Sequence, residues 1–268
     1  MLVVLSQSLV QTCLLSSGLD LGKLLAPDFW ALTLSTVLVA AAGYIINDYY
    51  DVKIDAINKP DRMVVGKIIR RRRAMFAHML LSFTGVAIGL WLSIPVGLIN
   101  AGAVLLLWGY SARLKKMMLI GNVAIALLSA SMLLIVAVHA DMLNKVTIGY
   151  AAFAFLISLI REIIKDMEDV KGDSSFDCRT LPIVAGLRNS KLVLYPLIAV
   201  FLALILAAIL HPSTTLYFGI YMAFLVFAPS VWLVIKLARA DKKRDFTFLS
   251  KLNKCIMLTG ILSMLLIR

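Results

Sequence analysis

Asn47, Asp51 and Asp55 recur at four-residue intervals, and Asp166, Asp169 and Asp173 at intervals of three and four, so that in helical conformation each set lies along one face. Asp48 stands beside the first set and Asp61 follows it, while Glu162, Glu168 and Asp177 accompany the second. These two segments hold ten of the 15 acidic residues in the chain. Two carboxylates roughly 6 Å apart repel by on the order of 3 kcal/mol at an effective dielectric of about 20, and by only about 0.7 kcal/mol in open water. Such files need counter-charge. Lys53, Lys59, Arg62, Lys165 and Lys171 could neutralise one of them as a solvated, salt-bridged face, but that leaves a second file unexplained. A hard divalent cation answers both. Mg²⁺ prefers carboxylate oxygens, keeps several waters and completes its shell with substrate phosphates. A chain rich in Asp, with three histidines and no paired cysteines, favours Mg²⁺ over Zn²⁺.

The elements that must position these files are apolar. With 61% hydrophobic residues in a length of 268 and a mean hydropathy of +0.93, the chain lies outside the range of soluble domains and reads as a polytopic membrane protein. A helix that crosses about 30 Å of hydrocarbon needs roughly 20 apolar residues. Candidate runs lie near 1–18, 28–46, 74–93, 96–111, 119–138, 146–164, 192–210, 214–235 and 252–267. The expected fold is therefore all-α, a bundle of nine transmembrane helices forming one domain over 1–268. Pro95 and Gly97 in "SIPVG" predict a tight turn between the third and fourth spans, and the last run is short. Residues 1–18 lack a basic leader and a small-residue cleavage site, so they read as a retained first helix.

Charge tests that count. Apart from Lys23, Lys145 and Arg268, all of the 27 lysines and arginines fall in the segments after spans two, four, six and eight. Basic residues collect in cytoplasmic loops. The alternation predicts a multi-pass protein of the cell inner membrane, with its N-terminus and both acidic files on the cytoplasmic side. The net charge of +12 then marks topology and attracts anionic membrane lipids or phosphorylated substrates; no feature points to nucleic acid. Cys13, Cys178 and Cys255 show neither a disulfide framework nor metal-ligand spacing. His78, His139 and His211 stand alone near predicted membrane edges, which suits interfacial placement better than ligation.

The stretch "NDYYDVKIDAINKPDR", Asn47 to Arg62, resembles the first aspartate motif of the UbiA superfamily of intramembrane prenyltransferases, NxxxDxxxD, with Asn47, Asp51 and Asp55 in the motif positions. Asp169 and Asp173 match the second motif, DxxxD, with Asp166 one turn earlier. "YSARLKKMMLIGN" is similar to the Tyr and Lys element of that family, Tyr110 and Lys115 matching at a spacing one residue longer than usual. "RTLPIVAG", Arg179 to Gly186, resembles the stretch that follows the second motif. Where the family often continues with Pro after the first motif, this chain has Met63, Val64 and Val65.

The resemblance implies a mechanism. An isoprenyl diphosphate would lie with its tail in a lipid-facing groove and its diphosphate held by Mg²⁺, with Asn47, Asp51, Asp55, Asp169 and Asp173 as metal-binding residues. Asp51, Asp55, Asp169, Asp173 and Lys115 would form the catalytic set, the cation Lys115 facing the departing oxygens. Asn47, Asp48, Arg62, Tyr110, Arg161, Lys165 and Asp166 would complete substrate binding. Tyr44, Tyr50, Trp108 and Tyr110 could shield and stabilise an allylic cation, or belong to an interfacial aromatic belt. "REIIKDMEDVKGD" looks most like the branch that makes digeranylgeranylglyceryl phosphate, whose acceptor is geranylgeranylglyceryl phosphate with a free hydroxyl; Arg161 and Lys165 suit its phosphate. An aromatic acceptor of quinone, haem or chlorophyll biosynthesis is the alternative within the superfamily. A cation transporter is the alternative of another class, but ion pathways place carboxylates near mid-membrane, and these lie at one edge among cations.

Overall fold

A computed structural model describes residues 2–15, 20–58, 63–176 and 178–267. Their regular structure is helical: α1 Leu2–Leu9, α2 Pro27–Asn58, α3 Arg71–Leu92, α4 Ile94–Ala112, α5 Ile120–His139, α6 Lys145–Asp173, α7 Leu181–Leu210, α8 Leu216–Met222, α9 Ala228–Ala238 and α10 Lys243–Leu262. A π-helical segment, Ala223–Phe227, joins α8 and α9 into a single crossing rod. Eight rods are long and apolar enough to span a membrane. The first is shorter, because α1 runs on only through a π segment, Val10–Leu14.

The ends depart from the hydropathy pattern where polar residues extend a helix beyond lipid. α2 has 32 residues and α6 has 29, so at 1.5 Å per residue both exceed about 40 Å, longer than the roughly 30 Å hydrocarbon layer. Their final turns stand beyond the apolar run, and those turns carry the aspartates. α7 starts at Leu181 rather than near 192, and α10 at Lys243 rather than near 252. The break between α3 and α4 is Ser93 alone, extended at φ −167°, and its hydroxyl accepts from the Val96 amide at 3.4 Å. Pro95 and Gly97 lie inside α4, Pro95 in the first turn, where its missing N–H would have had no partner. Asn144 caps α6 by accepting from Thr147 N at 2.7 Å, and Asp245 starts α10 by accepting from the amides of Lys242 and Asp241.

Packing divides the interior in two. One apolar cluster joins α6, α7, the α8–α9 rod and α10 around Ile160, Ile163, Leu194 and Phe246. The other joins α1, α2, α4 and α5 around Val10, Leu32, Val96 and Val136. α2 packs along α3 and α4, and α5 along α6, which brings the polar ends of α2 and α6 to the same end of the bundle.

Candidate active site

Three elements meet at that end. The last turns of α2 carry Asn47, Asp48, Asp51 and Asp55, the last turns of α6 carry Asp166, Asp169 and Asp173, and the 3₁₀ turn Leu114–Lys116 carries Lys115. That turn is fastened from both sides. Lys116 O accepts from Arg179 N at 2.8 Å, and Lys116 Nζ donates to Phe176 O at 3.4 Å, tying it to the chain that leaves α6. On the other side the start of α5 presses against it: a Cβ added at Gly121 would meet Leu114 O at 2.8 Å and Lys115 Cα at 2.9 Å. Only glycine permits that approach. α2 is pinned in turn by Arg71 at the start of α3, whose guanidinium lies 4.4 Å from the Tyr49 ring centroid and donates to Tyr49 O at 3.4 Å.

Held this way, Lys115 forms an ion pair with Asp51, and both side chains are largely buried, 12% and 14% exposed. The two files face each other electrostatically. Asp173 feels the like charges of Asp169 and Asp51 and the opposite charges of Lys165 and Lys115. Tyr110, half-buried near the end of α4, feels the charges of Lys165, Glu162 and Asp166 on α6 and of Asp51 on α2. Tyr44, Tyr50 and Trp108 instead point outward, 77%, 38% and 48% exposed, as belt residues do.

Deeper along α6, Arg161 pairs with the buried Glu162, and Lys165 lies in the field of Glu162, Tyr110 and Asp169. Asp166 accepts from Asn122 Nδ2 at 2.7 Å. Asn47 is half-buried on α2, and Asp48 and Asp55 each have a polar or electrostatic partner. Arg62, named with the binding set, lies outside the described residues, as do Lys59, Asp61 and Asp177. Two site residues had no role in the sequence reading. Asn122 orients Asp166 from the first turn of α5; it closes the stretch "YSARLKKMMLIGN", in which only Tyr110 and Lys115 were given roles. Glu162 stood in the acidic segment, but only packing reveals it as the partner of Arg161 and Lys165. Below the site, burial raises the Cys178 thiol pKa above its ordinary value, and the Asp173 carboxylate adds to the effect.

The model of the UbiA prenyltransferase family matches residues 9–253. The chain belongs to the UbiA prenyltransferase family. Among similar proteins, the digeranylgeranylglyceryl phosphate synthase of Methanothermobacter thermautotrophicus is 34% identical over 236 residues, 85% of this chain and 81% of the relative. The synthase of Pyrococcus horikoshii is 40% identical over 154 residues, 57% of this chain, so the match spans about half of that relative's length, 55%. A solved structure from work on digeranylgeranylglyceryl phosphate synthase in membranes superposes with a TM-score of 0.71 at 26% identity, covering 98% of this chain and 94% of that one. A UbiA homologue from Archaeoglobus fulgidus bound to DMAPP and Mg²⁺ has a TM-score of 0.69 at 18% identity over 98% and 96% of the two chains, a likeness of fold. In this UbiA prenyltransferase the motif aspartates therefore sit where the bundle brings α2 and α6 together.

Proposed function

We propose that the chain transfers an isoprenyl group, best geranylgeranyl, from its diphosphate to the free hydroxyl of geranylgeranylglyceryl phosphate. The observation that carries this reading is that Asp51 and Asp173, from two motifs far apart in sequence, feel each other's charge and that of Lys115, which the 3₁₀ turn presents to both. Relatives named digeranylgeranylglyceryl phosphate synthase support the acceptor. Placement of the carboxylates at helix ends, among cations, favours a phosphorylated substrate over ion transport.

In this reading the allylic C–O bond of the donor breaks, pyrophosphate leaves with the bonding pair, the acceptor oxygen bonds to the freed carbon and the hydroxyl proton passes to the departing pyrophosphate. Lys115 exchanges Asp51 for the pyrophosphate oxygens, where its charge offsets negative charge that grows as the bond breaks. Asp51 and Asp173 repel, and among the described residues no three acidic, imidazole or thiol groups converge to hold an ion. That donor set fits Mg²⁺, which takes a few carboxylate oxygens and fills its shell with water and phosphate. Of Asn47, Asp51, Asp55, Asp169 and Asp173, no more than two carboxylates at a time would bind it directly, the others through its waters. When bound, Mg²⁺ supplies neutralisation of the leaving pyrophosphate. Tyr110, which feels charges from both files, offers a ring that would shield the electron-poor carbon from water. Arg161 keeps donors beyond those used on Glu162 and, with Lys165, suits the acceptor phosphate. Asn122 holds Asp166 in a fixed orientation toward these cations.

The charge asymmetry of the loops supports a single domain in the inner membrane with this site on the cytoplasmic side. The deciding experiment feeds purified protein geranylgeranyl diphosphate with geranylgeranylglyceryl phosphate or a panel of aromatic acceptors and identifies products by mass spectrometry. Digeranylgeranylglyceryl phosphate is expected; prenylated aromatic rings alone would move the chain to the aromatic branch.

A further inference from the structure

Two hydrogen bonds fix the register of α10 on α6. Thr247 Oγ1 donates to Glu168 Oε1 at 2.8 Å, and toward the other end of the bundle the Tyr150 and Ser263 hydroxyls share a hydrogen bond at 2.6 Å. The two helices therefore run antiparallel. Seven residues fall within about 20° of two full turns, so stepping seven back from Glu168 and seven on from Thr247 keeps to the facing flanks. Those steps reach Arg161 on α6 and Lys254 on α10. Lys254 lies eleven residues, about 16 Å, beyond the start of the apolar span Lys243–Leu266. It is exposed, and among the described residues its side chain makes neither an ion pair nor a hydrogen bond. A cation at that depth in a membrane helix is costly, and such residues mark the paths and sites of polar substrates.

Arg161 gives part of its guanidinium to Glu162, and its side chain stays 25% exposed. An apolar cavity begins one turn further from the aspartates, lined by Ile157 and Ser158 on α6 and by Met257 and Ile261 on α10. A substrate chain lodged there would carry its head group to Arg161 and Lys254. Arg161 precedes Asp169 by eight residues, about 12 Å of helix, so the two cations stand apart from the carboxylates assigned to the donor diphosphate. A second phosphate, on an acceptor whose hydroxyl reaches the breaking C–O bond, fits that separation. We propose that Lys254 binds the acceptor phosphate across the seam between α6 and α10, with Arg161 on the other side, and so selects phosphorylated over neutral acceptors. This role rests on the transfer proposed above.

Steady-state kinetics of the full-length chain in nanodiscs, with geranylgeranyl diphosphate and geranylgeranylglyceryl phosphate, test it. Lys254→Gln should raise the KM for the acceptor about tenfold, the order of one charged hydrogen bond. The donor KM and kcat should change little, the pattern of lost uniform binding. Lys254→Arg should restore the acceptor KM. Geranylgeranylglycerol, which lacks the phosphate, should be used equally by wild type and Lys254→Gln. Lys251, exposed three residues earlier and about 60° around α10, controls for general attraction of anionic amphiphiles, and Lys251→Gln should leave the acceptor KM unchanged. An unchanged acceptor KM in Lys254→Gln, or an equal rise in Lys251→Gln, overturns the proposal while prenyl transfer itself stands. An equal rise in the donor KM also overturns it, by assigning Lys254 to the diphosphate. Absence of product from wild-type protein with this acceptor overturns the transfer reading, and the role of Lys254 with it.

Discussion

Asp51 and Lys115 illustrate how one contact constrains both charge and chemistry. A pair about 4 Å apart at an effective dielectric of about 20 gains on the order of 4 kcal/mol before desolvation, and both side chains are mostly out of water. Removing one partner strands the other, which costs about 3 kcal/mol for a buried pair. Asp51→Ala is therefore expected to lower the melting temperature in detergent, and Asp51→Ala with Lys115→Ala to recover part of the loss. Lys115→Ala alone should reduce prenyl transfer by about 10²- to 10³-fold, as expected for loss of one donor aimed at developing negative charge. Wild-type turnover in that variant would remove Lys115 from the site. Cys178 offers a pH readout. Its pKa is raised because burial and the nearby Asp173 carboxylate disfavour the thiolate, so at a given pH less thiolate is present than in an ordinary cysteine. Maleimide labelling of Cys178 should accelerate only at more alkaline pH than a model thiol, and Asp173→Asn should shift that profile back toward neutral.

At the scale of elements, the Lys115 turn is placed by its neighbours rather than by its own sequence. Gly121 lets α5 start against Leu114 and Lys115, and Leu119 just before it adopts a left-handed φ of 62°. Gly121→Val puts a branched side chain where even a Cβ would lie 2.8 Å from Leu114 O. The turn must then shift, and a displacement near 1 Å at a catalytic group can cost about a hundredfold in rate. The expected result is a fall in kcat/KM of that order with the helix content of the protein retained by circular dichroism. Gly186 serves α7 differently. Its φ of 80° and ψ of 163° break the helix after the first turn and kink the rod there, a geometry that suits glycine.

At the scale of the whole molecule, the two apolar clusters act as the two walls that fix the distance between α2 and α6. The proposed metal chemistry belongs to this scale because its ligands come from both walls. EDTA should stop turnover and added Mg²⁺ should restore it. Activity that survives chelation would take the metal out of the scheme.

Hydropathy and charge alternation made the all-helical membrane fold legible, since both reflect transfer of single residues between water and lipid and need no neighbours. The spacing of Asn47, Asp51 and Asp55, and of Asp166, Asp169 and Asp173, predicted shared faces because helical periodicity is local. Helix ends were less legible: the polar extensions of α2 and α6 and the early starts of α7 and α10 lie outside the apolar runs, and the start of α10 is capped through Asp245, to which an apolar window is blind. The pairing of Lys115 with Asp51, the inward position of Tyr110 and the roles of Asn122 and Glu162 were decided only by tertiary structure. Each depends on distances between segments far apart in the chain, and electrostatic energy follows those distances rather than sequence separation.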